Sequence, residues 1–169
     1  MGIICFMRER YHDKDEIRVW IMIRVMVIED YEELFKMWEN TPNMGLRSLD
    51  DSREGIARFL RRNPDTNFVA YEDGRLVGVI MSGHDGRRGY IYHTVVLPEY
   101  RRRGIATHLV EAAVQALQGE GITRVCLNVM ETNEQGKQFW MAKGWERKDF
   151  LGFYSKAITD QENLPLFQI

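Results

Sequence analysis

Seven consecutive residues, Arg101-Arg102-Arg103-Gly104-Ile105-Ala106-Thr107, join three guanidinium groups and a glycine to the start of an apolar periodic stretch. They follow a β-branched run, Thr94-Val95-Val96-Leu97, that stops at Pro98. Strand, tight loop and helix in that order suit an anion. The first turn of a helix has backbone N–H groups with no intrahelical partner, and the helix dipole adds about half a positive charge there. Amides from Arg102 to Thr107 curling inward would cradle a pyrophosphate, with Gly104 letting the backbone approach closely. The loop lacks both the Lys-Ser/Thr of a P-loop and the spaced glycines of a dinucleotide fold.

Reached from Val95-x-x-Pro98, Arg101-x-x-Gly104-x-Ala106 resembles the acyl-coenzyme-A signature of the GNAT (Gcn5-related N-acetyltransferase) superfamily. A separate stretch, Asn133-x-x-Gly136-x-x-Phe139-Trp140-x-x-x-Gly144-Trp145, resembles that family's helix followed by Gly-aromatic. The turn Asp85-Gly86-Arg87-Arg88-Gly89 and strand Tyr90-Ile91-Tyr92-His93 resemble a YpeA-like bacterial subgroup. The resemblance implies acetyl-CoA as acyl donor, an amine acceptor, and direct transfer without a covalent enzyme intermediate. It places backbone groups of Thr94, Val95 and Val96 along the pantetheine and thioester, and Arg101, Arg102, Arg103, Gly104, Ile105, Ala106 and Thr107 around the pyrophosphate. Asn133 and Trp140 join the cofactor residues, although Asn133 equally suits a helix N-cap.

In the family branch that acetylates ribosomal-protein N-termini, a glutamate base and a tyrosine acid occupy positions that here hold Asn128 and Trp140. An amide takes no proton at neutral pH and an indole only donates, so that mechanism does not transfer. His93 is the substitute base, or Tyr92 through a water, since imidazole titrates near neutrality. Alternation along a strand puts Tyr92 with Thr94 on one face and His93 with Val95 on the other. Against this, His93 is equally read as a packed, hydrogen-bonded sheet residue. Glu131 and Tyr154 are weaker candidates, Tyr154 as the acid that protonates the thiolate. Asp85 would hold an acceptor ammonium, or Arg87 and Arg88 a carboxylate, unless these charges simply face water in a turn.

Positioning these groups requires a well-filled domain, and 169 residues with 44% apolar content suffice for one. Ile21, Ile23, Val25 and Val27 alternate as a strand. A helix from Glu29-Asp30 to Thr41-Pro42 turns Tyr31, Leu34, Phe35 and Trp38 inward, and a second runs from Asp50 or Asp51 to Arg62. Phe68–Tyr71 and Leu76–Met81 form a hairpin that leads to a strand over 90–97. A helix over 105–117, a strand over 125–129, a helix over 133–143 and a closing hairpin including Phe153 and Tyr154 complete the chain. The expected fold is α/β (α+β) of GNAT type: a mixed, mostly antiparallel sheet with helices on both faces.

Residues 1–20 lack a clean period and are read as an extension that is disordered, surface-packed or upstream of the native start. Residues 21–156 form the catalytic domain and 157–169 a tail. A net charge of −2 gives no global case for nucleic acid or an anionic membrane. Cys5 and Cys126 have no metal-ligand or disulfide spacing, so no metal is expected. No apolar run suits a membrane span or a signal peptide, which points to the cytoplasm. Exposed strand edges at the C-terminal hairpin suggest a homodimer. The rival reading is a non-catalytic acyl-CoA sensor.

Overall fold

The computed structural model describes residues 3–12 and 15–166. Its elements are β1 (Ile4–His12), β2 (Asp15–Val25), α1 (Tyr31–Glu39), α2 (Arg53–Arg62), β3 (Phe68–Glu72), β4 (Arg75–His84), β5 (Gly89–Val96), α3 (Ile105–Gly119), β6 (Val125–Leu127) and α4 (Glu134–Ala142). The strands lie side by side in sequence order, antiparallel throughout except for the parallel pair β5 and β6. This is the mixed, mostly antiparallel sheet expected from the sequence.

Alternation along the strands separates two cores. One face packs Ile21, Ile23, Phe68, Ala70 and Ile91 against Ile105, Leu109 and Ala113 of α3 and Trp140 of α4. The other packs Val69, Val79, Met81 and Val95 against Leu34 and Trp38 of α1 and Ile56 and Leu60 of α2. At Gly78 an added Cβ would lie 3.1 Å from Leu109 and 3.2 Å from Ile105, so glycine there sets the close approach of α3 to β4. Ser52 starts α2 by accepting from the Gly55 N–H at 3.0 Å.

A charged cluster joins β2 to α1. Arg24 donates two bonds to the buried Asp30, which also accepts from the Val27 N–H and the Tyr71 hydroxyl. Burial works against the Asp30 carboxylate, but Arg24 and the Val27 amide outweigh it and hold its pKa below the usual value. Burial, and next the Asp30 charge, push the Tyr71 hydroxyl up to about 12.

Two expectations about the ends differ from the structure. Residues 4–12 form β1 and pair with β2 from Ile4 opposite Ile23 to His12 opposite Asp15. Ladder bonds join backbone to backbone and need no side-chain period, which is why the sequence hid this strand. Of the expected extension, residues 15–20 belong to β2, while 1–2 and 13–14 lie outside the described residues, as do 167–169 of the tail. The closing hairpin through Phe153 and Tyr154 is absent among the described residues: β6 is the last strand there, and the described chain after Trp145 is irregular. Farther on, Ser48 N–H donates to Leu164 O and Leu166 N–H to Leu46 O, seating the tail on the loop after α1.

Candidate active site

The chain leaves β5 through a short 3-10 turn, Pro98–Tyr100, and enters α3 at Gly104. Arg102 and Gly104 are both left-handed, with φ of 62° and 82°. Two such residues flanking one ordinary residue curl successive amides toward one side, and the first-turn amides of α3 continue the concavity. A Cβ on Gly104 would meet nothing nearer than the His108 ring at 3.8 Å, so backbone conformation, not crowding, calls for glycine. The open space above it is what a diphosphate needs.

The three arginines divide their work. Arg103 donates to the buried carboxylate of Glu72 at 3.0 and 3.3 Å and to Glu99 O at 2.7 Å, lying over Tyr100. Arg101 bonds Val96 O at 3.1 Å and Gln135 at 3.4 Å. Arg103 is therefore a brace for the loop, while Arg101 and Arg102 stay exposed at its surface.

Past the loop, β5 parts from β6. Their ladder covers only Gly89–Ile91 against Val125–Leu127, so Thr94, Val95 and Val96 run on beyond it. Asn133 caps α4, its Oδ1 accepting from Gly136 N–H at 2.8 Å. A Cβ on Gly136 would lie 2.7 Å from the Asn133 Nδ2, so the Asn-x-x-Gly spacing belongs to the cap. Trp140 is buried between Phe139 and Trp145, with ring centroids 5.1 Å from each.

The candidate side chains singled out in the sequence meet at a bulge in β5. Val95 pairs with Val79 and Tyr92 with Met81, three residues along β5 matching two along β4. The extra residue cancels the alternation expected from sequence. Tyr92 meets Phe59 of α2 edge to face, His93 lies against Trp38 of α1, and Val95 packs in the same core, all on one side of the sheet.

His93 Nε2 lies 2.6 Å from Asp51 Oδ1. Asp51 is 5% exposed; its other oxygen accepts from Arg47 N–H at 2.6 Å, and its carbonyl accepts from the Tyr31 hydroxyl. A carboxylate only accepts, so in this contact the Nε2–H of His93 is the donor. Gly55 admits the loop that carries Asp51, since a Cβ there would lie 2.3 Å from Asp50 O. Sequence reasoning missed Asp51 as a partner. Its only signal was an acidic residue at a helix entry, read as local.

Tyr92 borders a cavity of about 330 Å³ with Phe59, Arg62, His84, Asp85 and Tyr90. Burial raises the Tyr92 pKa, with Tyr90 and Asp85 adding to it, so the phenol is a donor at neutral pH. Asp85 accepts from the Arg87 and Arg88 amides, which hold its carboxylate below the usual pKa. One oxygen thus caps its own turn. Tyr154 is 93% exposed on the irregular C-terminal stretch and is not brought to His93 and Tyr92. Glu131 pairs with Lys137 and Arg147 at the surface. Among the described residues no group of three His, Cys, Asp or Glu could hold a metal ion, and no helix is long and apolar enough to cross a membrane.

Known proteins resemble the chain in sequence and in fold. A Yersinia pestis (strain Pestoides F) acetyltransferase is 32% identical over 140 residues, covering 83% of this chain and 98% of that protein. PaiA N-acetyltransferase from Thermoplasma acidophilum, solved with coenzyme A, superposes with a TM-score of 0.67 at 22% identity, covering 85% of this chain and 94% of that one. AAC(6')-Iy with a CoA bisubstrate analogue gives 0.62 at 20%, covering 81% and 98%. Since the Acetyltransferase (GNAT) family profile also matches residues 18–145, the chain belongs to that family and is an N-acetyltransferase.

Proposed function

We propose that the enzyme transfers the acetyl group of acetyl-CoA directly to a primary amine of a small molecule, peptide or protein, with His93 as the base. The observation that carries this reading is the His93–Asp51 contact on the bulge, on the same strand as the backbone expected to hold the thioester. Asp51 fixes the ring and stabilises the imidazolium formed when Nδ1 takes the ammonium proton. Backbone groups of Thr94, Val95 and Val96 bind the pantetheine arm, with a backbone N–H polarising the thioester oxygen. The Arg101–Thr107 loop holds the diphosphate, Asn133 adds its NH₂ group and Trp140 a wall.

Direct transfer is supported by the neighbour solved with an analogue that joins CoA to an acetylated amine. Tyr92 acts as a donor beside the acceptor or relays a proton through water. A YpeA-like specificity, a cytoplasmic setting and a homodimer complete the proposal.

The test is calorimetric titration of acetyl-CoA into wild type and Gly104→Glu, then an amine panel read by thiol release. Binding lost in the variant, with turnover of an amine by wild type, supports the reading. Binding without turnover of any amine would return the sensor, and no binding would sink the loop assignment.

A further inference from the structure

The cavity of about 330 Å³ beside Tyr92 is held open by the end of α2. Asn63, just past that helix, packs on Gly83, where an added Cβ would lie 2.7 Å from the Asn63 side chain. Its Oδ1 accepts from His84 N–H at 3.1 Å, and Gly83 pairs with Tyr90 across the β4–β5 ladder. Arg62, the last residue of α2, is therefore pinned near Tyr90, roughly 10 Å along β5 from His93 at about 3.3 Å per residue.

Two kinds of surface face this space. Tyr90 and Tyr92 are 39% and 46% exposed with ring centroids 6.3 Å apart, and Phe59 meets Tyr92 edge to face. Rings left open in a row make a wall for a flat apolar body. The polar groups are mostly donors. The Arg62 guanidinium is exposed and makes no ion pair or hydrogen bond among the described residues. His84 Nδ1 accepts from Gly86 N–H at 3.2 Å, which leaves Nε2–H as the donor of that ring. The Tyr92 phenol adds another. Against these stands the Asp85 carboxylate, its Oδ1 already taken by two backbone amides. Arg87 and Arg88, the turn residues that would otherwise carry a carboxylate, do not line the cavity.

Given transfer to an amine at His93, on which this rests, we propose that the cavity holds the far end of the acceptor. The acceptor is then a primary amine on an aromatic body that ends in a carboxylate, gripped by the planar fork of Arg62. Its ring lies along Tyr90 and Tyr92, its amine reaches His93, and its carboxylate meets Arg62 with the His84 N–H beside it. A cationic far end would face the guanidinium with one free oxygen of Asp85 as counter-charge.

Two readouts test this. Calorimetry follows para-methylphenylpropanoate, which has no amine, into the CoA-saturated enzyme, for wild type and Arg62→Gln. Thiol release compares kcat/KM for para-(aminomethyl)phenylpropanoate, its carboxamide and the analogue ending in trimethylammonium. We expect the amine-free acid to bind wild type about tenfold more tightly than Arg62→Gln, and carboxylate to be preferred over carboxamide by about tenfold in wild type only. Acid binding that needs Arg62, with no amine turned over, supports the anion site and counts against transfer at His93 instead. Absence of acid binding overturns the proposal. So does equal turnover of the three amines, a preference for trimethylammonium, or a carboxylate preference that survives in Arg62→Gln, and each of these leaves amine transfer standing.

Discussion

The loop proposed for the diphosphate and the histidine corner lie a few residues apart along the chain, yet they are built in opposite ways. The loop uses consecutive residues and would act through backbone N–H groups, with Arg103 bracing it from beneath through Glu72. The corner gathers His93 from β5, Trp38 from α1 and Asp51 from the loop before α2. A backbone site depends on conformation and tolerates many side chains. A side-chain site depends on partners that no local pattern announces.

The largest effect should come from the loop. Gly104→Glu forces a side chain onto φ +82° and adds a negative charge beside the diphosphate, so acetyl-CoA affinity should fall about 10³-fold or more. Calorimetry measures it; near-normal affinity would remove Gly104 from the site. At the corner, His93→Gln should lower kcat by about 10²-fold, within the usual range for a general base, and leave acetyl-CoA affinity nearly unchanged. An equal loss of affinity would make His93 a packing residue instead.

Asp51→Asn sharpens the contrast, because it keeps the shape and removes the charge. We expect a kcat loss of about tenfold with acetyl-CoA affinity unchanged, since the imidazolium loses its counter-charge. An unchanged kcat would leave Asp51 with a structural role only. Asn133→Ala should cost about 1 kcal/mol in denaturant unfolding through the lost cap. If acetyl-CoA affinity also falls several-fold, the NH₂ group contacts the cofactor; unchanged affinity confines Asn133 to the cap.

The smallest effect lies away from both regions. The Asp30 pKa is depressed in the fold, so its stabilising contribution is complete above the unfolded value of about 3.9 and is lost as pH falls through the lower folded value. Asp30→Asn should remove that acid-side slope in unfolding experiments. A slope identical to wild type would mean that Arg24 does not pair with a charged Asp30 in solution.

Sequence alone determined the order of elements from β3 to α4, the loop at Gly104 and the capped helix at Asn133, because each is encoded within a few residues. Periodicity reports burial, glycine reports a left-handed turn, and Asn reports a cap. Tertiary structure decided the rest. The bulge in β5 shifted the faces of His93 and Val95 relative to Tyr92, since strand register is fixed by pairing with β4 and not by β5 itself. Asp51 came to His93 across 42 positions because Gly55 and Arg47 shape the loop that carries it. The stretch after Trp145 looks like a closing strand in sequence, yet a strand exists only where an edge accepts it.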